Sequence, residues 1–231
     1  MSEIRILYDN HAGEGLRPGF GFSAIIRTEG AVVMLDTGAD KLVLEENARA
    51  LGVNLEIVTA LAISHDHCDH MGAISSVLHK GLHLYVPADA GRRFSRVTRG
   101  GIDLHKVRGP VEIVPGVRSI GQYGRRIPEH ALLVDGKAGP AMITGCAHPG
   151  IVKMARRATD LAGRPLALLL GGFHLLRVKE DALRRTVDDL LKLEIQRMAP
   201  CHCTGDDAVA ALRDAFAERF VEIEAGSTIG V

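Results

Sequence analysis

Apolar and polar positions alternate over residues 3–8 (EIRILY), which predicts an edge or hairpin strand. Phe22 to Arg27 and Ala31 to Leu35 flank Thr28-Glu29-Gly30 and predict a hairpin. The period then lengthens. Over Asp40 to Leu51 a helix places Leu42, Val43, Ala48 and Leu51 on one face, with Gly52 as the stop. Val58 to Ile63 has the length and composition of a buried strand. Residues 71–79 predict a helix, Leu82 to Val86 a short strand, and Pro87-Ala88-Asp89 the start of another helix.

The second half repeats the theme. Residues 111–120 hold two short strands around Pro115-Gly116, and Ala131 to Val134 with Ala141 to Thr144 form a hairpin across Asp135-Gly136-Lys137. Gly150 to Ala162 predicts a helix, and the wholly apolar Leu166 to Leu170 a strand inside a sheet. Lys179 to Leu193 is an amphipathic helix with Leu183, Val187, Leu190 and Leu191 on one side. Gln196 to Ala199 predicts a strand, Asp206 to Ala217 a helix and Phe220 to Glu224 a last strand. Hairpins followed by alternating helices and strands, with no linker between them, predict an α/β chain of two ββα-type halves packed face to face. The expectation is a single domain over residues 1–231.

Composition changes this picture little. A chain of 231 residues with 46% hydrophobic content can bury a sizeable core, and a formal net charge of zero argues against a nucleic-acid surface. The N-terminus MSEIRILYDN lacks the apolar core of a signal peptide, and no apolar run approaches membrane-spanning length. Four cysteines, two of them flanking a histidine, do not resemble a disulfide framework, so a cytoplasmic location is expected. Arg92, Arg93, Arg96, Arg99, Lys106 and Arg108 fall in one Gly-punctuated segment. A solvated loop is the ordinary meaning of such a run; a clamp for a phosphate or carboxylate is the alternative.

The chemistry concentrates in Leu61 to Gly72, LAISHDHCDHMG. A buried strand stops at Ser64 and releases three imidazoles, two carboxylates and a thiol before a helical pattern begins. Imidazole and carboxylate are the usual ligands of a catalytic zinc or similar metal. His65 and His67, two apart in extended chain, project to the same side and can grip one ion. Asp69 and His70, on the turn into the helix, can face a second. Thr144-Gly145-Cys146-Ala147-His148-Pro149-Gly150 repeats this strand-to-helix handover, which makes His148 a candidate ligand. Cys146 can be a thiolate ligand, an activated nucleophile or a buried small hydrophobe, with burial the first expectation. In Leu170-Gly171-Gly172-Phe173-His174 the glycines allow close approach of backbone to a ligand, and His174 is a candidate general acid or substrate contact. His130 rivals His148 as third ligand. His11, His79, His83 and His105 lack such positions and are expected to be surface or packing residues. If the segment is extended, Cys201 and Cys203 point away from His202.

The H-x-H-x-D-H pattern after a buried strand resembles the hallmark of the metallo-β-lactamase superfamily. That resemblance implies a four-layer αββα sandwich with a mononuclear or binuclear metal site at one edge of its two sheets. It implies that Asp36 of the Leu35-Asp36-Thr37-Gly38 turn ties down the metal loop; capping of the next helix by Asp36 or Thr37 is the alternative. It further implies that His65, His67 and His148 hold one ion and Asp69, His70 and His202 the other, His202 being last in the superfamily's order. Where many members have an aspartate bridging two metals, this chain has Cys146. Asp9-Asn10, the LDTG turn, SHDHCDHMG, TGCAHPGI, GGFHL and APCHCTG, in this order, resemble the branch named for 7,8-dihydropterin-6-methyl-4-(β-D-ribofuranosyl)-aminobenzene-5′-phosphate synthase. Those enzymes join a pterin diphosphate to a ribofuranosyl-aminobenzene phosphate and release pyrophosphate. The segment from Gly121 to Ala131 is shorter than the branch's and ends Glu129-His130.

The expected function is therefore a metal-dependent hydrolase or transferase, using metal-bound hydroxide or a metal-stabilised leaving group, with Asp69 and His174 as catalytic residues. Zn2+ is the expected ion, one or two per chain, and the ligand set also admits Mn2+, Fe2+ or Mg2+. The expected partner is a small anionic substrate, with no membrane and no nucleic acid; a homodimer is a superfamily expectation. Iron-dependent redox chemistry on the same fold, and a non-catalytic ligand-binding module, are the competing readings.

Overall fold

A computed structural model describes residues 2–90, 94, 97 and 100–231. The first sheet is built from β1 (Glu3–Tyr8), β2 (Ser23–Arg27), β3 (Val32–Leu35), β4 (Ala60–Ala62), β5 (His83–Pro87) and β6 (Asp103–Val107). The second holds β7 (Val111–Val114), β8 (Val117–Ser119), β9 (Leu132–Val134), β10 (Ala141–Thr144), β11 (Leu168–Gly172) and β12 (Met198–Cys201). A last strand, β13 (Thr228–Gly230), returns to pair with β1, so the orders are β13-β1-β2-β3-β4-β5-β6 and β12-β11-β10-β9-β8-β7. In each sheet antiparallel hairpin strands hand over to parallel ones.

Period-two burial explains the layers. Along β11, Leu168 and Leu170 enter the core between the sheets while Leu169 packs against helices on the outside. In β4, Ala60 and Ala62 face inward and Leu61 outward. Helix α1 (Lys41–Ala50) covers the outer face of the first sheet; α3 (Ile151–Ala162), α4 (Glu180–Leu191) and α5 (Asp206–Phe216) cover that of the second. The short α2 (Cys68–Met71) lies in the loop that follows β4. The result is the expected αββα sandwich.

Several elements differ from the sequence pattern. The side chain of Asp40 caps α1 by accepting from Leu42 N and Val43 N, which removes the capping role from Asp36 and Thr37. Leu42 is exposed; Leu44 and Asn47 are buried instead, because Asn47 bonds the carbonyls of Leu7 and Arg17. The helix expected over 71–79 is replaced by α2 and a single turn at Ile74–Ser76. Ala88 and Asp89 form a turn. Phe220 to Glu224 makes only an isolated bridge to Met198, and the closing strand is β13. The segment holding Lys106 and Arg108 contains β6, and Arg108 pairs with Asp89 at 2.9 Å. Arg92, Arg93, Arg96 and Arg99 lie outside the described residues. Among the described residues, no helix is long and apolar enough to cross a membrane.

Candidate metal centre

Strands of both sheets end at one edge, and each end delivers a polar side chain. Asp9 and Asn10 leave β1, Asp36 leaves β3, Ser64 to His67 leave β4, and Cys146 to His148 leave β10. His174 and His202 follow β11 and β12. Asp36, Ala147, His174 and His202 have φ of 50–57°, a conformation that non-glycine residues hold only when the surroundings impose it. His67 precedes α2, and that helix carries Asp69 and His70 back toward the strand ends.

Two groups of donor atoms result, and a third, Cys146, His148 and His174, shares a residue with each of them. His65, His67 and His148 each bring a ligand atom within 4.8 Å of the others, and Asp69, His70, Cys146 and His202 form a second group on the same criterion. The groups adjoin, with the His65 and His70 ring centroids 4.1 Å apart.

Supporting residues decide which nitrogen each ring presents. Asp36 Oδ1 accepts from Ser64 N at 2.6 Å; Oδ2 accepts from Ser64 Oγ at 2.6 Å and from His70 Nδ1 at 2.7 Å. With its hydroxyl hydrogen on Asp36, Ser64 Oγ accepts from His65 Nδ1 at 2.9 Å. Glu129 Oε2 accepts from His148 Nδ1 at 2.9 Å, and Asn10 Oδ1 from His202 Nδ1 at 3.0 Å. Four imidazoles thus have Nδ1 tied and Nε2 turned inward, where that of His70 meets Cys146 Sγ at 3.1 Å, the arrangement supporting partners impose on metal-binding histidines. The buried Nε2 atoms of His65 and His202 have no hydrogen-bond partner. His202 Nε2 stands 3.4 Å from Asp69 Oδ2, an ion-pair contact without hydrogen-bond geometry. A buried unpaired nitrogen is costly, and a cation relieves it in each group. The donors therefore fit a borderline divalent metal.

Electrostatics point the same way. Burial, followed by the neighbouring His70, pushes His65 down to about 3. Burial, followed by His202, does the same to His70. Both rings are neutral at ordinary pH and keep a lone pair for a metal. Burial raises Asp36 to about 7 despite His65 and Ser64. For Asp69, burial is outweighed by His202 and His70, which hold its carboxyl well below the usual range. Glu129 is held low against burial by His148 and the N–H of Cys146.

His130 is not among these donors. Its Nε2 donates to Ile63 O at 3.0 Å and its Nδ1 accepts from Ser119 Oγ at 2.8 Å, so both nitrogens are used structurally. The residue before it, Glu129, has a role that the sequence pattern did not reveal. It also takes the N–H groups of Cys146, Ala147 and His148. A carboxylate abutting an apolar strand was the available signal, since such a group must find partners. Asn10 was likewise legible only as part of a turn. Cys146 is buried as expected, yet its Sγ lies 3.1 Å from His70 Nε2, within the second donor group.

His174 is exposed, its ring centroid 4.3 Å from that of His148, and a hydrogen bond with Cys203 raises its pKa. The segment after β12 is not extended: His202 to Thr204 form a helical turn. Cys203 therefore reaches Cys146 and His174, and its thiol is pulled down chiefly by the hydrogen bond from Cys146. Cys201 instead packs between the sheets. The glycines of β11 admit protein and not a ligand: a Cβ on Gly171 would strike Thr144, and one on Gly172 would strike Gly145 O and Cys203 Sγ.

Residues 16–152 match the family model of the metallo-beta-lactamase superfamily. A curated relative from Methanocaldococcus jannaschii, 7,8-dihydropterin-6-methyl-4-(beta-D-ribofuranosyl)-aminobenzene-5′-phosphate synthase, is 23% identical, covering 85% of this chain and 83% of its own. An uncharacterized protein of the same organism is 27% identical over 99% of this chain and all of its own. Among solved structures, a metal-dependent hydrolase of the beta-lactamase superfamily superposes with a TM-score of 0.87. It is 25% identical and covers 100% of this chain and 99% of its own.

Proposed function

This chain belongs to the metallo-β-lactamase superfamily, and we propose that it is a metal-dependent hydrolase or transferase acting on a phosphorylated substrate, such as a pterin diphosphate. One observation carries the reading. Four imidazoles from three strand ends, those of β4, β10 and β12, are locked by Asp36, Ser64, Glu129 and Asn10 so that Nε2 faces a common space beside Asp69 and Cys146.

His65, His67 and His148 would hold one ion; Asp69, His70 and His202, with Cys146, would hold the other. A bound divalent ion supplies Lewis acidity and makes a water acidic near neutral pH, about 7 for zinc. The protein's own part is orientation and proton handling. Asp69, ionised and partly exposed, is placed to accept a proton from an attacking water. His174, exposed beside His148, is placed to give a proton to a leaving oxygen. The dihydropterin diphosphate is the favoured substrate because the relative named for that synthase spans most of both chains.

The test is turnover by metal-loaded protein on two panels: phosphoesters, and a dihydropterin diphosphate offered with a ribofuranosyl-aminobenzene phosphate. Product release, pyrophosphate in the second case, that disappears in His67→Ala is the expected result. Turnover unchanged in His67→Ala overturns the assignment. So does the absence of turnover with the site demonstrably loaded.

A further inference from the structure

Far from the centre, at the opposite ends of the strands, a second kind of cluster stands on the first sheet. In the parallel pairing of β5 and β6, His83 lies opposite Asp103 and Tyr85 opposite His105. Residues two apart on a strand share a face, so His83, Asp103 and His105 come together on one side. That side is the one on which Tyr85 and Val107 enter the core between the sheets. The cluster marks where that core runs out, and two of its members, His83 and His105, line a groove of roughly 630 Å³ together with Tyr85, Ile113 and Pro115.

The three ligand atoms form a nearly equilateral triangle. His83 Nδ1 is 3.1 Å from His105 Nε2, and each is 3.2 Å from the same oxygen, Asp103 Oδ2. Zinc bound at about 2.0–2.1 Å in tetrahedral geometry separates its ligands by about 3.3 Å, so this triangle matches one face of the coordination tetrahedron. Hydrogen bonding explains the arrangement less well. Two N–H groups aimed at Asp103 would set two donors against each other at 3.1 Å, whereas one N–H between the rings leaves a ring nitrogen without a proton facing the carboxylate. A cation at the centre uses all three atoms at once. The His105 ring is also held in place, stacked on Tyr85 at 4.4 Å with 13° between the planes.

We propose that His83, Asp103 and His105 form a separate site for a borderline divalent cation, Zn2+ or Cu2+, with the fourth position open to the groove. Two imidazoles and a carboxylate select such ions over Mg2+ or Ca2+, which take all-oxygen cages. All three side chains are half-exposed, so the ion enters from solvent and exchanges. Its mechanical effect is to clip the edge strand β6 to β5, because the ligands come from both.

Protein with the main centre loaded and free metal removed is titrated with Zn2+ by calorimetry. One further ion per chain is expected. Its affinity should fall at least tenfold in His83→Ala and in His105→Ala, and also in Asp103→Asn, which keeps the shape of the carboxylate. Circular dichroism checks that each variant is folded. With Cu2+ as probe, wild-type protein should show nitrogen hyperfine coupling that is lost in the His83→Ala, His105→Ala double variant. No uptake beyond the main centre, uptake undiminished in His105→Ala, or loss of the further ion in Asp69→Asn instead, would each overturn the proposal.

Discussion

Glu129 and His148 are joined twice: Oε2 accepts both the ring Nδ1–H at 2.9 Å and the backbone N–H at 2.8 Å of the same histidine. The other oxygen takes the N–H groups of Cys146 and Ala147, so one carboxylate shapes the whole β10 loop and sets its imidazole. Glu129→Gln replaces an acceptor-only group with one that must turn a donor toward some of these N–H groups. It should weaken metal binding by about 10–100-fold, the usual effect of losing a support to a ligand. Glu129→Ala strands two buried N–H groups and one part-buried one and should cost about 2–3 kcal/mol or more. Metal affinity and urea unfolding of the two variants separate these effects; unchanged affinity in Glu129→Gln would refute the orienting role.

If the two donor groups hold separate ions, His148→Ala and His202→Ala should each lose one of the two ions of this centre, measured by plasma mass spectrometry. His130→Gln should lose none, because neither ring nitrogen of His130 faces the centre. Loss of metal in His130→Gln comparable to that in His148→Ala would reverse the assignment.

Cys146 occupies the second donor group, 3.1 Å from His70 Nε2. Cobalt-substituted protein should show a sulfur-to-cobalt charge-transfer band that vanishes in Cys146→Ser while the first ion is retained. A spectrum identical in the two proteins would return Cys146 to the role of a buried hydrophobe.

Gly145 packs where a Cβ would meet Ser64 Oγ and Asp36 Oδ2. Those two side chains orient His65 and His70, so Gly145→Ala should damage both ion sites from a residue that ligates neither. The expected signs are lower metal content and a destabilisation of about 1–3 kcal/mol from overpacking. Full metal content in the folded variant would contradict the packing argument.

His130 makes a prediction about acid. Burial lowers it from 6.5 to about 4, so between those values the unfolded chain binds a proton that the native state refuses. Stability is complete above pH 6.5 and falls as the pH drops toward 4, by about 3 kcal/mol from this residue. In metal-free protein, urea midpoints from pH 7.5 to 4 should decline less steeply for His130→Gln than for wild type. Parallel profiles would show that His130 does not titrate as its burial requires.

Local pattern was enough for the layers. Strand alternation, wholly apolar stretches such as Leu168 to Leu170, and stops such as Gly52 are written in neighbouring residues, although the cap of α1 fell to Asp40 and not to Asp36 or Thr37. The clustered imidazoles of the β4 loop were equally plain, because their spacing along the chain is their chemistry. What the sequence could not decide was which distant groups meet. Glu129 supports His148 across 19 positions, and Asn10 sets His202 across 192. Cys203 turns toward Cys146 only because the chain leaves β12 in a helical turn, and His83 reaches His105 only because β5 and β6 lie in parallel register. Hydrophobic periodicity reports the face a residue shows to the core. Contact between side chains far apart in sequence depends on strand order, register and loop conformation, and these are settled only when the sheets pack.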